Sequence, residues 1–209
     1  MITRRFLFAG LALSVLLGAG TASAAQLEDG ADKFIRSLAG QAIGSLTDQA
    51  ASREVRVERF RELFNDRFAV HAIGKFVLGR HWRKATDTER DEYLGLFEDL
   101  MVVSYVDRFA SYAGESLEVV KTRADNDKTA TVFSRIDRPG GAKAVRVAWR
   151  VGSTDDTYKI LDVVVEGASM SSTLRSDFGS IVRRKGGKVA GLLEELRTKT
   201  ASLKEVIEN

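Results

Sequence analysis

The spacing of apolar residues changes twice along this chain, and that alternation restricts the fold more than any other feature. Up to Tyr112 apolar side chains recur every three or four positions; from Leu117 they alternate; after Gly167 the helical spacing returns. A chain ordered this way must place one block of strands between two sets of helices. That order predicts α+β and disfavours a repeating strand–helix–strand design.

Four strands are expected, at Leu117 to Thr122, Thr129 to Asp137, Ala144 to Val151 and Tyr158 to Glu166. Their connections, Asp125-Asn126-Asp127, Arg138-Pro139-Gly140-Gly141 and Gly152-Ser153-Thr154-Asp155-Asp156, are rich in turn formers and too short for crossovers, so the strands form an antiparallel meander. In the third strand Val145, Val147, Trp149 and Val151 share one face and Ala144, Arg146, Ala148 and Arg150 the other, which makes one face buried and one wet. Leu161 to Val165 is apolar on both sides and reads as central or covered.

The helices are equally marked. Leu27, Phe34, Ile35, Leu38, Ile43 and Leu46 trace a first helix, interrupted by Gly40 and Gly44; a second follows Ser52 with Val57, Phe60, Leu63 and Phe64 on one side, broken at Asn65-Asp66; a third runs from Phe68 to Leu78. Thr86-Asp87-Thr88-Glu89 has the spacing of a capping box and opens a long helix from Asp87 to Tyr112. That helix carries the aromatic stripe Tyr93, Phe97, Met101, Tyr105, Phe109 and Tyr112, and it is expected to pack on the apolar face of the sheet. Later helices are expected around Leu174 to Val182 and from Val189 to Leu196. The architecture is therefore α+β: an antiparallel curved sheet of four strands or slightly more, helices packed on one face, and a cone-shaped apolar interior between. Periodicity leaves open whether side chains or a ligand fill that interior.

The N-terminus speaks to location. Arg4 and Arg5, the apolar run Phe6 to Leu17 and the small residues Ala22-Ser23-Ala24 have the layout of a cleavable export signal over 1–24, leaving a single domain over 25–209. Thr3-Arg4-Arg5-Phe6-Leu7 keeps both the general and the twin-arginine export routes open. No later stretch approaches the roughly 20 apolar residues of a membrane helix. Loss of Arg4 and Arg5 reduces 32 Lys plus Arg against 29 Asp plus Glu to near balance, which removes most of the case for a nucleic-acid partner. The absence of cysteine excludes thiol chemistry and thiolate metal sites.

Signatures of catalysis are sparse. There is no phosphate-binding glycine loop, nucleophile elbow or paired-histidine metal motif; His71 and His81, ten positions apart, read as surface or interface residues. Asp99 and Asp162 are the candidates for a buried carboxylate base of the kind an apolar pocket activates, although Asp162 also suits a structural tie between strand and helix. The run Arg183-Arg184-Lys185 with Lys188 forms a basic patch, suited to a solvated helix cap or to anionic headgroups or an acidic partner, with Arg146 and Arg150 as an extension.

Two stretches carry a family resemblance. Phe76-Val77-Leu78-Gly79-Arg80-His81-Trp82-Arg83-Lys84-Ala85-Thr86, leading into Tyr93-Leu94-Gly95-Leu96-Phe97 and Tyr105, resembles the first signature of the MlaC or toluene-tolerance family. Tyr158-Lys159-Ile160-Leu161-Asp162-Val163-Val164-Val165-Glu166-Gly167-Ala168-Ser169 is similar to its second, followed by Arg175-Ser176-Asp177-Phe178 and Gly186-Gly187. Tyr158 stands where the family usually has tryptophan and Trp149 where it often has tyrosine, exchanges expected to alter the shape of a pocket.

The resemblance implies an NTF2-like fold with additional helices and a periplasmic carrier. Such a carrier binds the acyl chains of phospholipid, or a hopanoid in a related branch, and shuttles lipid between an outer-membrane lipoprotein complex and an inner-membrane ABC transporter. It implies no catalytic residues, no metal and no cofactor. Residues chosen by face and by position in the matching stretches as the pocket wall are Leu78, Trp82, Phe97, Met101, Tyr105, Phe133, Val147, Trp149, Val163 and Val165. An enzyme with an NTF2-like pocket and a buried carboxylate is the alternative of another class.

Overall fold

The structure, a computed structural model, describes residues 19–48, 50–110, 114–155 and 157–205. The export signal expected over 1–24 therefore lies mostly outside the described residues, and no described helix is long and apolar enough to cross a membrane.

Four helices precede the sheet: α1 (Ala19–Leu46), α2 (Arg53–Arg67), α3 (Val70–Leu78) and, after a short turn of 3-10 helix at Gly79–His81, α4 (Asp87–Ala110). Their starts follow the local chemistry. Ser52 Oγ accepts from the Val55 amide (3.4 Å), and Thr86 and Glu89 satisfy each other's free amides reciprocally (3.2 and 2.9 Å), as the capping-box spacing requires. Asn65-Asp66 does not break α2, which continues to Arg67. The break falls at Phe68 and Ala69, where the Ala69 amide donates to the Ile160 carbonyl (2.9 Å) and stitches the α2–α3 link to the sheet. The expected last residues of α4, through Tyr112, lie outside the described residues.

Five antiparallel strands follow in sequential order: β1 (Ser116–Asn126), β2 (Thr129–Asp137), β3 (Val145–Thr154), β4 (Thr157–Val165) and the two-residue β5 (Ala168–Ser169). Glu166 and Gly167 join β4 to β5 with positive φ (49° and 87°), the conformation of a two-residue hairpin turn. Glu166 is held there because its carboxylate accepts from the Arg146 amide (2.7 Å) and guanidinium (3.0 Å). Then come α5 (Met170–Arg184) and α6 (Val189–Glu205).

Two of the three register shifts in the sheet decide which side chains face inward. In β1 the register slips at Val120, which is left 64% exposed, so that Val119 and Thr122 both turn inward. In β4 the register slips at Leu161, and Ile160, Val163 and Val165 share the inner face through pairing with Val151, Trp149 and Val147. The apolar double face of β4 has its reason here. Its outer edge is covered by the Phe68 bridge and by α5, and Lys159 donates to the Asn65 (3.2 Å) and Asp66 carbonyls.

The long aromatic helix does not lie directly on the sheet, as its stripe suggested. α1 does: Leu27, Ala31, Phe34, Ile35 and Leu38 pack on Val119, Ala130, Val132, Val151 and Ile160 in one core. α4 instead packs with α2 and α6 in a second, helical core that includes Phe64, Tyr93, Phe97, Leu100, Val106, Phe178, Leu192 and Leu196. The physical reason is an open space between the two cores, across which α4 and the sheet face each other. Gly30 permits the first core, since a Cβ there would lie 2.0 Å from the Tyr158 phenol oxygen.

Ile160→Ala should lower the free energy of unfolding in urea by about 3 kcal/mol, the range of a large-to-small change at a fully buried site. Val120→Ala, on the bulge of β1, should change it by less than about 0.5 kcal/mol.

Candidate functional site

The space between the cores is a cavity of about 440 Å³. Its walls are α1 (Ile35, Leu38, Ala39, Ala42, Ile43), α2 (Phe60, Leu63, Phe64), α4 (Phe97, Met101, Tyr105), the sheet (Leu117, Ile136, Trp149, Val163) and α5 (Met170, Leu174), with Phe68 and Ile73 at the α2–α3 link. Spacing by four brings Phe97, Met101 and Tyr105 to one side of α4, while Tyr93, one turn earlier, is fully buried and donates to the Gly74 carbonyl (3.0 Å). Burial pushes the Tyr93 phenol far above its usual range, so it remains a neutral donor.

The polar groups of the wall sit at its margins. Glu115 and Ser116 lie where the lining reaches the surface at the start of β1. At the other side Asp162 accepts from Ser169 Oγ (2.6 Å) and from the Ser171 amide (3.1 Å), fastening β4 to the start of α5. The Trp149 indole donates to Ser134 Oγ (2.9 Å), which in turn donates to the Val147 carbonyl (3.2 Å). The one polar atom of the indole is thereby used inside the sheet, and its ring is free to serve as apolar wall.

Of the residues chosen from sequence, Phe97, Met101, Tyr105, Trp149 and Val163 line this cavity. The other five lie elsewhere. Leu78 is buried in the helical core. Trp82 is half-buried outside the cavity, packed on the helical core with Lys75 and Arg90 over its ring (5.9 and 5.5 Å). Phe133 turns to the outer face of the sheet, under Lys121 and Arg123 (4.9 and 5.6 Å). Val147 and Val165 are inward but pair with each other in the row of Ser134, across which the tethered Trp149 indole leans. Tyr158, expected to shape the pocket, packs on Gly30 and on Phe34 (6.1 Å) instead.

Sequence reasoning missed the α1 and α2 walls. The signal was present in the apolar faces of both helices, but a single helical stripe does not say which core it joins.

The carboxylate candidates do other work. Asp99 is outside the cavity lining and bonds Arg61 (2.7 Å) and Lys204 (3.0 Å), joining α2, α4 and α6. Partial burial acts to raise its pKa, but the hydrogen bonds from Arg61 and Lys204 outweigh it and hold the carboxyl below its usual range. His81 is buried and not a surface residue, because the 3-10 turn after Gly79 folds it inward; His71 is exposed, edge-on to Trp82 (5.6 Å).

An antiparallel meander closed by helices around a cavity with an apolar wall defines an α+β protein with an internal space of the size and lining of a ligand site. The model of the MlaC protein family matches residues 36–198, and the chain belongs to that family. The chain is 21% identical over 130 residues to the toluene tolerance protein ttg2D of Pseudomonas putida; the match takes in 62% of this chain and 60% of the length of that relative. Its fold is that of a phospholipid-binding protein from Ralstonia solanacearum solved in complex with a phospholipid, with a TM-score of 0.72 at 19% identity over 82% of this chain and 97% of that one.

Because Asp99 is held below its ordinary pKa of 3.8, the stability it contributes is present above that pH and lost as pH falls through the lowered value. Asp99→Asn should cost about 1 kcal/mol near neutrality and flatten the acid limb of stability, measured by urea unfolding from pH 7 down to about pH 2.

Proposed function

We propose that the protein is a periplasmic phospholipid carrier that holds acyl chains in the cavity between α1, α4 and the sheet. The export signal over 1–24 directs it out of the cytoplasm, and the mature domain over 25–209 passes lipid between an outer-membrane complex and an inner-membrane ABC transporter. Family membership and the fold shared with a phospholipid-binding protein support this reading.

The observation that carries it is the cavity wall. Its volume falls in the range of ligand sites, roughly 300–1,000 Å³. A bound lipid takes the apolar wall out of contact with water, and the wall does the same for the lipid: two acyl chains exposed to water would cost on the order of 20 kcal/mol, at roughly 0.8 kcal/mol per methylene. Transfer between bilayer and carrier is then nearly isoenergetic, and direction comes from the partners.

The reading assigns no catalysis. The two carboxylates of the wall are Glu115 at its margin and Asp162, which is occupied with Ser169 and Ser171.

Native mass spectrometry of protein taken from its own periplasm, followed by organic extraction, should show about one diacyl phospholipid per chain. A hopanoid would move the protein to the related branch, and a stable protein that neither carries nor can be loaded with lipid would overturn the carrier. Ala39→Phe, which fills the cavity from α1, should reduce retained lipid at least tenfold while the circular dichroism spectrum is unchanged.

A further inference from the structure

The cations of this protein are distributed unevenly between paired and unpaired. Along α1, α2 and the sheet most arginines have a carboxylate partner: Arg36 with Asp32, Arg53 with Asp107, Arg61 with Glu98 and Asp99, Arg135 with Glu118 and Asp137. Around the end of α3 the pattern reverses. Lys75, Arg80, Arg83 and Arg175 surround an open cleft formed by α3, the turn at Gly79–His81 and α5, and none of the four has a carboxylate partner among the described residues. All four are exposed.

The cleft is also aromatic. Phe76 is 46% exposed, one of the few large apolar side chains left in water among the described residues, and Trp82 forms part of the lining. Its geometry is built. The Arg175 guanidinium stacks on Phe76 (4.8 Å) and donates through Nη1 to the Phe76 carbonyl (2.8 Å). It occupies the notch left by Gly79, where φ is +59° and a Cβ would stand 2.9 Å from its carbon. Arg175 Nε and Nη2 have no hydrogen-bond partner among the described residues and remain available as donors. The field is felt beneath the surface: burial first, then the charges of Arg80, Lys84 and Arg183, hold His81 below the usual imidazole range.

In the basic run anticipated at 183–188, Lys185 pairs with Glu194 (3.2 Å), and Arg146, its expected extension, pairs with Glu166 (3.0 Å); Arg183, Arg184 and Lys188 have no carboxylate partner among the described residues, but the exposed ring of Phe76 lines the cleft at Gly79–His81.

We propose that the cleft between α3, the turn at Gly79–His81 and α5 docks this protein on the surface of a bilayer rich in anionic phospholipid headgroups. Uncompensated cations around an exposed aromatic ring make up an interfacial anchor: the cations meet headgroup phosphates and the ring enters the boundary below them. Phe76, 46% exposed at the rim of this uncompensated positive charge, supplies the apolar element that such an anchor places at the headgroup boundary. The position is also apt. Ala72 and Phe76 line an adjoining depression that shares Ile73, Asp162 and Ser171 with the cavity wall, so the docked face lies next to that part of the cavity. The docking face does not require that the cavity hold lipid.

The test is co-sedimentation of the mature protein with vesicles of phosphatidylcholine alone and with added phosphatidylglycerol. Binding should need the anionic lipid and be lost at about 0.5 M salt, where exposed charges are screened within a few ångströms. The triple variant K75E/R80E/R83E should bind at least tenfold more weakly, and Phe76→Ser severalfold, each with an unchanged thermal melt. The control triple K121E/K128E/K143E, on unpaired cations of the sheet and its loops, should bind as the parent does. Ala39→Phe should also bind as the parent does, which separates docking from cavity loading. No binding to anionic vesicles, equal binding to phosphatidylcholine alone, or equal loss in the two triple variants would overturn the proposal. Binding to an acidic polypeptide with none to vesicles would assign the cleft to a protein instead.

Discussion

The structure depends on a separation: the aromatic helix α4 is kept away from the sheet it faces. Apolar surfaces in water close on each other unless something rigid holds them apart. Here α1 does so, seated on the inner face of β1 and β2 by Phe34, Ile35 and Leu38, while α4 is anchored on its far side by α6 and α2. Each layer has a filled core of its own. The cavity survives because closing it would require these filled cores to shift and lose packing.

Polar chemistry fixes the hinges of this arrangement. Asp162 ties β4 to α5 at one margin of the cavity, and the Arg61–Asp99–Lys204 network ties α2, α4 and α6 behind it. These are the two carboxylates that a reading for catalysis would choose. Both are occupied as structural acceptors, one by hydroxyl and amide donors and one by two cations. The cavity wall is left apolar, with its polar groups at the margins.

Much of the fold was legible. The capping box at Thr86, the Ser52 cap, the boundaries of β2 and the period-two face of Val147, Trp149 and Val151 all follow from local rules that act within a few residues. The cavity was legible by half. Phe97, Met101 and Tyr105 are marked by spacing and Trp149 and Val163 by their face, but Leu78 and Trp82 belong to the same helical pattern and point elsewhere. Phe133, chosen by its face on the strand, lies on the outer face of the sheet, where cations of β1 cover it.

By itself the sequence determined the order of elements, the capped helix starts at Ser52 and Thr86, the antiparallel meander and the family, since each rests on contacts between near neighbours or on residues that spell a motif. Tertiary structure alone decided which apolar stripes fill cores and which line a cavity. It also decided the inward turn of His81, the bulge that aligns Ile160 with Val163, and the gathering of Lys75, Arg80, Arg83 and Arg175 around one cleft. The reason is common to all of these: a side chain's neighbours across a core come from distant parts of the chain, and periodicity records which way a residue faces on its own element but not what stands opposite.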